Sequence, residues 1–409
     1  FLTAGSQGAD MVEYRPVPED DVDAYRQVQD YAFRAEAGPG PGSPDDASEP
    51  DRPGDRRALY EDGRIVTTAV HYPFTITVRG DWVPAVGLGG VATRPEHRHQ
   101  GYVRAIVRES LAEYRERDWP VALLWPFDHP FYRQFGWGRL GSIGRYEFEP
   151  EALAPVTDHR LAGGRFERLR PEDYEDLQRL DERIAAAADL TMRRTEAWYR
   201  HRFFDARGDE PFVYGWYADD RLAGYLRYEV EKPEGERQLQ VSDFGNPDAA
   251  ATVNLLRFIH RHAAQAETVQ LHARPSELLF ELVEDPQAVD MEVLPGPMGR
   301  LVEVSSALAA LPAPPESEAQ LTVSIADDLA PWNDGPVTIA ASDGRYDVQS
   351  GAAEAASAEL PIETLSRLAC GSLTAQRAAD AGRLEADGEG VSLLADLFPP
   401  RETFLREFF

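Results

Sequence analysis

The sequence predicts an α+β chain of three units, two sharing one order of elements and a third of different make-up. Three observations carry this. The opening Tyr14-Arg-Pro-Val-Pro-Glu-Asp20 returns as Phe166-Glu-Arg-Leu-Arg-Pro-Glu-Asp173, each time a short strand, a proline, acids and a helical pattern. Behind each opening come antiparallel hairpins and then a strand–helix–strand run. A last stretch, from about Gly299, passes through irregular Leu311-Pro-Ala-Pro-Pro-Glu-Ser317 into strands that copy neither. A chain of 409 residues has room for two or three cores. The expected divisions are 1–10, 11–150, 151–297 and 298–409.

Phe1–Asp10 lacks a basic segment and an apolar core, and reads as a non-native remnant ahead of a start at Met11. A strand follows Met11, then a helix over 19–33 with acids in its first turn and Val22, Tyr25, Val28 and Ala32 at helical spacing. Residues Gly38–Gly54 are mostly Pro, Gly, Ser and Asp, which reads as a flexible surface loop. Strands are expected over 57–60, 64–72, 74–78 and 82–87, with turns at Glu61-Asp-Gly63 and Arg79-Gly-Asp81.

The next stretch organises the chain. It runs apolar from Val86 to Thr93, breaks at Arg94-Pro95, passes a basic loop Arg98-His99-Gln100-Gly101, and becomes helical from Tyr102. There Val103, Ile106, Val107 and Leu111 share one face. A strand that feeds a helix through such a turn is an anion site, because backbone N–H groups and the helix end point at the ligand. Gly101 lets the backbone approach a phosphate. A plain surface turn is the alternative for the same string. A buried strand at Val121–Trp125, a short glycine-ended helix at Phe131–Gly138 and a strand at Gly141–Phe148 complete the first unit.

In the second unit a helix is expected over Arg193–Phe203, a hairpin over 212–230, a strand over 239–244, a helix over 249–265 and a strand over 268–273. After Val241-Ser-Asp-Phe244 the chain reads Gly-Asn-Pro-Asp-Ala, with no Arg-x-x-Gly loop. This copy is expected to lack the anion site. The third unit reads as strands over 321–325, 337–341 and near Tyr346, then a strand and helix from Ala358, ending in Phe404-Leu-Arg-Glu-Phe-Phe409.

Charge is the loudest compositional signal, 71 acidic against 42 basic residues and net −29, with Lys232 the only lysine. Such a surface repels nucleic acid and anionic membranes. The acids are spread along the chain, which fits a protein working in concentrated salt; attraction of cationic substrates is the second reading. The single cysteine, Cys370, excludes an internal disulfide framework and fits a reducing cytoplasm. Its apolar context points to inert packing. No run of about 18 apolar residues appears, so no membrane span is expected. His97, His99 and Asp128-His129 match no zinc spacing, and no nucleophile elbow is present.

The Arg98-x-x-Gly101 loop in its strand–loop–helix setting resembles the acetyl-CoA pyrophosphate loop of the GNAT N-acetyltransferases. Val103 stands where that family prefers a small residue. Two GNAT-like units and a sterol-carrier-like third unit together resemble the enhanced intracellular survival (Eis) acetyltransferases over Met11–Phe409. The most specific local match is Phe131-Tyr-Arg-Gln-Phe-Gly-Trp-Gly138, near that family's Ile-Tyr-Gly-Arg-Phe-Gly-Tyr-Gly.

The resemblance implies an acetyl-CoA-dependent N-acetyltransferase, without metal, that acetylates a small-molecule or peptide amine. Val91, Ala92 and Thr93 would hold the acetyl and pantetheine groups, and Arg98, His99, Gln100, Gly101 and Tyr102 the pyrophosphate. Tyr132 would be the general acid and the terminal carboxylate of Phe409 the proton acceptor. Aromatic residues at an extreme C-terminus are odd if that end frays, so an anchored end is expected, either as core packing or to deliver its carboxylate. An α-carboxyl with pKa ~3.5 is a poor base in water and improves on desolvation. The family's members are hexamers, which makes a homo-oligomer the implied state. The alternative function is non-enzymatic lipid or peptide binding by the third unit.

Overall fold

The computed structural model describes residues 12–35, 53–205, 211–351 and 357–409. The expected remnant Phe1–Asp10 and most of the expected loop Gly38–Gly54 lie outside the described residues. The first stretch supplies β1 (Val12–Pro16), β2 (Asp55–Glu61), β3 (Arg64–Val78), β4 (Asp81–Thr93), β5 (Val121–Leu124) and β6 (Gly138–Arg139), with helices α1 (Val22–Phe33), α2 (Tyr102–Glu116) and α3 (His129–Arg133). The second supplies β7 (Ser142–Phe148), β8 (Arg165–Arg168), β9 (Met192–Arg193), β10 (Phe212–Ala218), β11 (Arg221–Glu231), β12 (Gln238–Gly245), β13 (Thr268–Ala273), β14 (Val289–Pro295) and β15 (Met298–Leu301). Its helices are α4 (Tyr174–Ala185), α5 (Glu196–Trp198), α6 (Ala249–His260) and α7 (Leu279–Leu282). The third holds α8 (Val304–Ala309), β16 (Gln320–Ala326), β17 (Gly335–Ser342), β18 (Arg345–Ser350), β19 (Ala358–Pro361), α9 (Ile362–Ala369), α10 (Ala375–Asp380), β20 (Glu385–Ala386) and α11 (Gly388–Leu397).

The first sheet has the order β1-β2-β3-β4-β5-β15-β6, with β9 on β3; the second is β14-β7-β13-β12-β11-β10-β8, and the third β18-β17-β16-β19-β20. Two strands change places. β7, expected to close the first unit, pairs with β13 and β14. β15, expected to open the third unit, lies between β5 and β6. The divisions expected at 150 and 297 therefore do not follow the sheets. All four residues of β15 are buried, as are all four of β5, so each needs covering on both faces and partners on both edges. Local pattern identifies such strands but not their partners.

The break expected at Pro73 does not occur. Pro73 falls between the end of the β2 pairing at His71 and the start of the β9 pairing at Thr75, where β3 has a partner on one edge only and a missing N–H is tolerated. The helix expected over Arg193–Phe203 is instead β9, α5 and a π-helical turn over Tyr199–Phe203.

Ile106, Val107 and Leu111 of α2 are buried against the first sheet as their spacing predicts, whereas Val103, expected with them, is only half-buried and Tyr102 is buried instead. Ile362, Leu365 and Leu368 of α9 share one core with Phe74, Ile76 and Val121 of the first sheet. Each such side chain contributes roughly 1.5–3 kcal/mol. The third unit is thereby fastened to the first by a common core.

Candidate active site

Strand β4 positions everything else. It runs parallel to β5 only from Ala85 to Gly87, opposite Val121 to Leu123, and continues to Thr93 without that partner. A bulge at Gly90, φ +57°, shifts its register against β3 between Thr68 and Val70. Gln29 of α1 and Thr68 donate to the Gly90 carbonyl. Past Gly87, β4 and β5 therefore diverge, leaving a cleft lined by the free edge of β4. Val91, Ala92 and Thr93 sit on this stretch, with the Thr93 hydroxyl 3.0 Å from that of Thr67.

The loop that follows turns left-handed twice. His99 (φ +61°) and Gly101 (φ +85°) take left-handed conformations, and Gly101 caps α2 without any side-chain hydrogen bond. A Cβ on Gly101 would meet nothing within 4 Å, so the space in front of the helix end is open. Arg98, His99 and Gln100 are exposed around it; Arg98 Nε lies 3.4 Å from the Thr93 carbonyl, which joins loop to strand. Tyr102 turns its ring inward and donates to Glu61. In the second unit the corresponding helix α6 is capped by Asp248, whose carboxylate accepts from Ala251 N at 2.9 Å. That negative side chain fills the place of a phosphate and repels one.

Phe409 meets β4 at its diverging end. A Cβ at Gly87 would come within 2.4 Å of the Phe409 ring, and one at Gly89 within 3.4 Å of its carboxyl carbon. The ring also packs on Tyr72 and Phe74, with centroids 5.8 and 5.3 Å away. Phe408 stacks on Trp125 at 4.3 Å, while Trp125 Nε1 donates to the Glu407 carbonyl at 2.7 Å. Arg202 Nη2 donates to the Phe408 carbonyl at 3.0 Å and its guanidinium lies over Tyr72 and Trp198. The end of the chain is thus seated, with its carboxyl group against Gly89.

Tyr132 is placed by α3, where Asp128 caps the helix and Gly136, φ +81°, turns the chain out of it. It is 4% exposed, and burial pushes its hydroxyl well above the usual phenol range, so the group stays protonated. Tyr132 belongs to the core that holds Val86 and Leu88, whereas Phe409 packs at Gly87 and Gly89. Successive residues of a strand face opposite sides, so the two groups flank the β4–β5 divergence from opposite faces of the sheet.

A cavity of about 460 Å³ lies on the Phe409 side, lined by Trp125, Trp198, Arg202, Asp243, Glu407 and Phe408 among others. Sequence reading missed Gly87, Gly89, Trp125 and Arg202. Two glycines at alternate positions of one strand were the available signal, since glycine inside a strand marks a close approach. Among the described residues no group of three or more His, Cys, Asp or Glu is arranged to hold a metal. His97 pairs with Glu61 at 3.5 Å, and His129 is held below its usual pKa by burial. Cys370 is fully buried and its thiol is pushed up to about 12 by that burial, in keeping with an inert residue.

Family models for a GNAT acetyltransferase domain match residues 13–140 and 190–301, and one for a sterol carrier protein domain matches 304–406. An uncharacterized N-acetyltransferase of Streptomyces griseus is 26% identical over 83% of this chain and 85% of its own. The N-acetyltransferase Eis of Mycobacterium tuberculosis is 27% identical over 30% of this chain and 33% of its own. The same fold is seen in a probable N-acyltransferase from Enterococcus faecalis, with TM-score 0.86 and 22% identity over 98% of this chain and 100% of that one. Eis1 from Mycobacterium abscessus superposes with TM-score 0.78 at 22% identity over the same shares. Two acetyltransferase domains followed by a sterol carrier domain, around a cleft built on β4, make this chain a member of the Eis-like GNAT N-acetyltransferases.

Proposed function

We propose that the chain transfers acetyl from acetyl-CoA to a primary amine by direct attack, with its own terminal carboxylate as proton acceptor. The observation that carries this is the carboxyl group of Phe409 against Gly89, on the strand whose free edge lines the cleft. The free edge of β4 at Val91 to Thr93 holds the acetyl oxygen and pantetheine, and Arg98 to Tyr102 with the uncapped end of α2 hold the pyrophosphate. The amine enters from the cavity side. Its nitrogen attacks the thioester carbon, the new C–N bond forms, the amine proton passes to the Phe409 carboxylate, and the C–S bond breaks. Tyr132, on the opposite face and still protonated, donates to the departing sulfur. Holding both reactants in line supplies much of the acceleration.

The acceptor is a small-molecule or peptide amine. The acidic surface keeps nucleic acid and anionic membrane away and suits concentrated salt in a reducing cytoplasm; a homo-oligomer of family type, up to a hexamer, is the expected assembly.

The test is an amine panel in high salt, measured by acetyl-CoA consumption, on the wild type and on a protein with three glycines added after Phe409. Extension moves the charge and leaves a neutral peptide carbonyl in its place. Turnover of the best amine should fall roughly 10²-fold or more while acetyl-CoA affinity is kept. Tyr132→Phe should lower kcat with the same retention of affinity. An extended protein that binds acetyl-CoA and turns over normally removes the carboxylate from the mechanism.

A further inference from the structure

The last residues of the chain leave the third unit, cross the second and end on the first. They cross the second unit where β12 and β13 part. These strands pair in parallel from Gln238 to Val241 against Thr268 to Leu271, and beyond that Ser242, Asp243 and His272 line the cavity together with Phe404 to Phe408. The second unit thus has its own divergence, the counterpart of the β4–β5 cleft, and the chain's tail occupies it.

Within that divergence lies a buried set of charges. Arg406 Nη2 donates to Asp181 Oδ1 at 2.8 Å, and its Nη1 to Asp243 Oδ1 at 3.3 Å and to the Tyr225 hydroxyl. Arg194 reaches Asp243 and Tyr225 from the other side, the latter at 2.7 Å. Glu407 Oε1 lies 2.6 Å from Arg194 Nε, off the N–H direction, so the contact is an ion pair rather than a hydrogen bond. Tyr199 donates to Asp181 at 2.6 Å. Asp181 comes from α4, Tyr225 from β11 and Asp243 from β12, so three elements of the second unit converge on one residue of the tail.

Burying this many charges is a poor route to stability, because desolvation offsets the Coulombic gain; well-packed apolar residues would do as well or better. What such a set does supply is register. Arg406 has partners in fixed directions, whereas Leu405 before it is apolar and Glu407 after it is an acid that the same two aspartates would repel. A slip of the tail by one residue would displace the terminal carboxylate by about 3.3 Å. Only Glu407, Phe408 and Phe409 separate that fixed point from the carboxylate.

We propose that Arg406 is a positioning residue. Held by Asp181, Asp243 and Tyr225, it sets the register in which the Phe409 carboxylate reaches Gly89, and the second unit's divergence serves as the seat of the first unit's proton acceptor. This rests on the reading of that carboxylate given above.

A double-mutant cycle tests it in the full-length protein. Arg406→Gln, the three-glycine extension and their combination are compared with wild type, using acetyl-CoA and the amine of the panel turned over fastest. Arg406→Gln should lower kcat roughly 10²-fold, the cost of a misplaced reacting group, with KM for acetyl-CoA unchanged; Arg406→Lys should recover part of it. In the extended protein the carboxylate is already displaced, so adding Arg406→Gln should cost nothing more. If the two losses multiply, or if acetyl-CoA affinity and melting temperature fall in step with kcat, Arg406 acts through the fold at large and the proposal is overturned. Should Arg406→Gln not fold, Asp243→Asn takes its place in the same cycle, removing one partner without changing its shape. An extension that leaves turnover intact refutes the carboxylate mechanism instead, which keeps the two failures apart.

Discussion

His71 shows how far residue types can mislead when burial is ignored. Its Nε2 lies 2.9 Å from Ser110 Oγ and its Nδ1 3.7 Å from Glu113 Oε2, the composition of a hydrolytic triad. His71 and Ser110 are both fully buried, so no substrate reaches them. Desolvation holds the imidazole down to about 3, and it stays neutral in the folded protein. Burial pushes Glu113 upward, but Arg57 and Tyr14 outweigh it and hold its carboxyl at about 2. The unfolded chain protonates His71 below pH ~6.5, which the folded one resists, so stability present above that pH is lost as pH falls from there towards 3. The loss is about 2 kcal/mol by pH 5. Glu113 contributes stability above about pH 4.3 and loses it only below, so between pH 6.5 and 5 the change belongs to His71. His71→Gln keeps a polar partner for Ser110 and takes up no proton. Between pH 7.5 and 5 its melting temperature should fall less than that of wild type, and parallel slopes would show that His71 does not govern the acid side.

At the scale of elements, the exchange of β7 and β15 ties the units to one another. Arg300 of β15 is fully buried, donates to the Phe135 carbonyl at 2.6 Å, pairs with Asp327 and lies over the Trp137 ring at 5.2 Å. Asp327 in turn accepts from Leu329 N, Ala330 N and Asn333. One ion pair therefore ties the third unit to the segment that carries Tyr132. Asp327→Ala leaves a buried guanidinium without its charge partner and should cost about 3–5 kcal/mol in urea unfolding. Replacing the pair together, as Arg300→Met with Asp327→Leu, should cost less than the single change. A cost below about 1 kcal/mol for Asp327→Ala would show that the shared core alone fastens the third unit. None of this was visible in Gly299-Arg-Leu-Val, which reads as the opening of a new unit.

At the scale of the molecule, net charge of −29 dominates, and the buried ion pairs of the two clusters absorb few of its acids. The remainder repel one another across the surface. Raising KCl from about 0.1 M towards molar concentration shortens the Debye length from ~10 Å to ~3 Å and weakens that repulsion. The melting temperature should rise by at least about 5 °C, a change of about 4 kcal/mol in a protein of 409 residues. A protein equally stable in both would shift the role of the acids to attraction of cationic acceptors.

Helix α2, the loop at Gly101 and the missing loop of the second unit were legible in the sequence because each depends on neighbours within a few residues: apolar spacing, a left-handed glycine, an aspartate at a helix start. The anchored C-terminus was legible too from its terminal phenylalanines, although only Phe409 is drawn in, half-buried, while Phe408 stacks on Trp125 and stays 70% exposed. Where that end goes was not. Gly87 and Gly89 receive Phe409 from more than three hundred residues away, and Arg406 finds Asp181 and Asp243 in another unit. The partners of β7 and β15 were likewise decided only in three dimensions. A buried four-residue strand satisfies its backbone equally well in any sheet with an open edge, and the shared core and the Arg300–Asp327 pair make the choice.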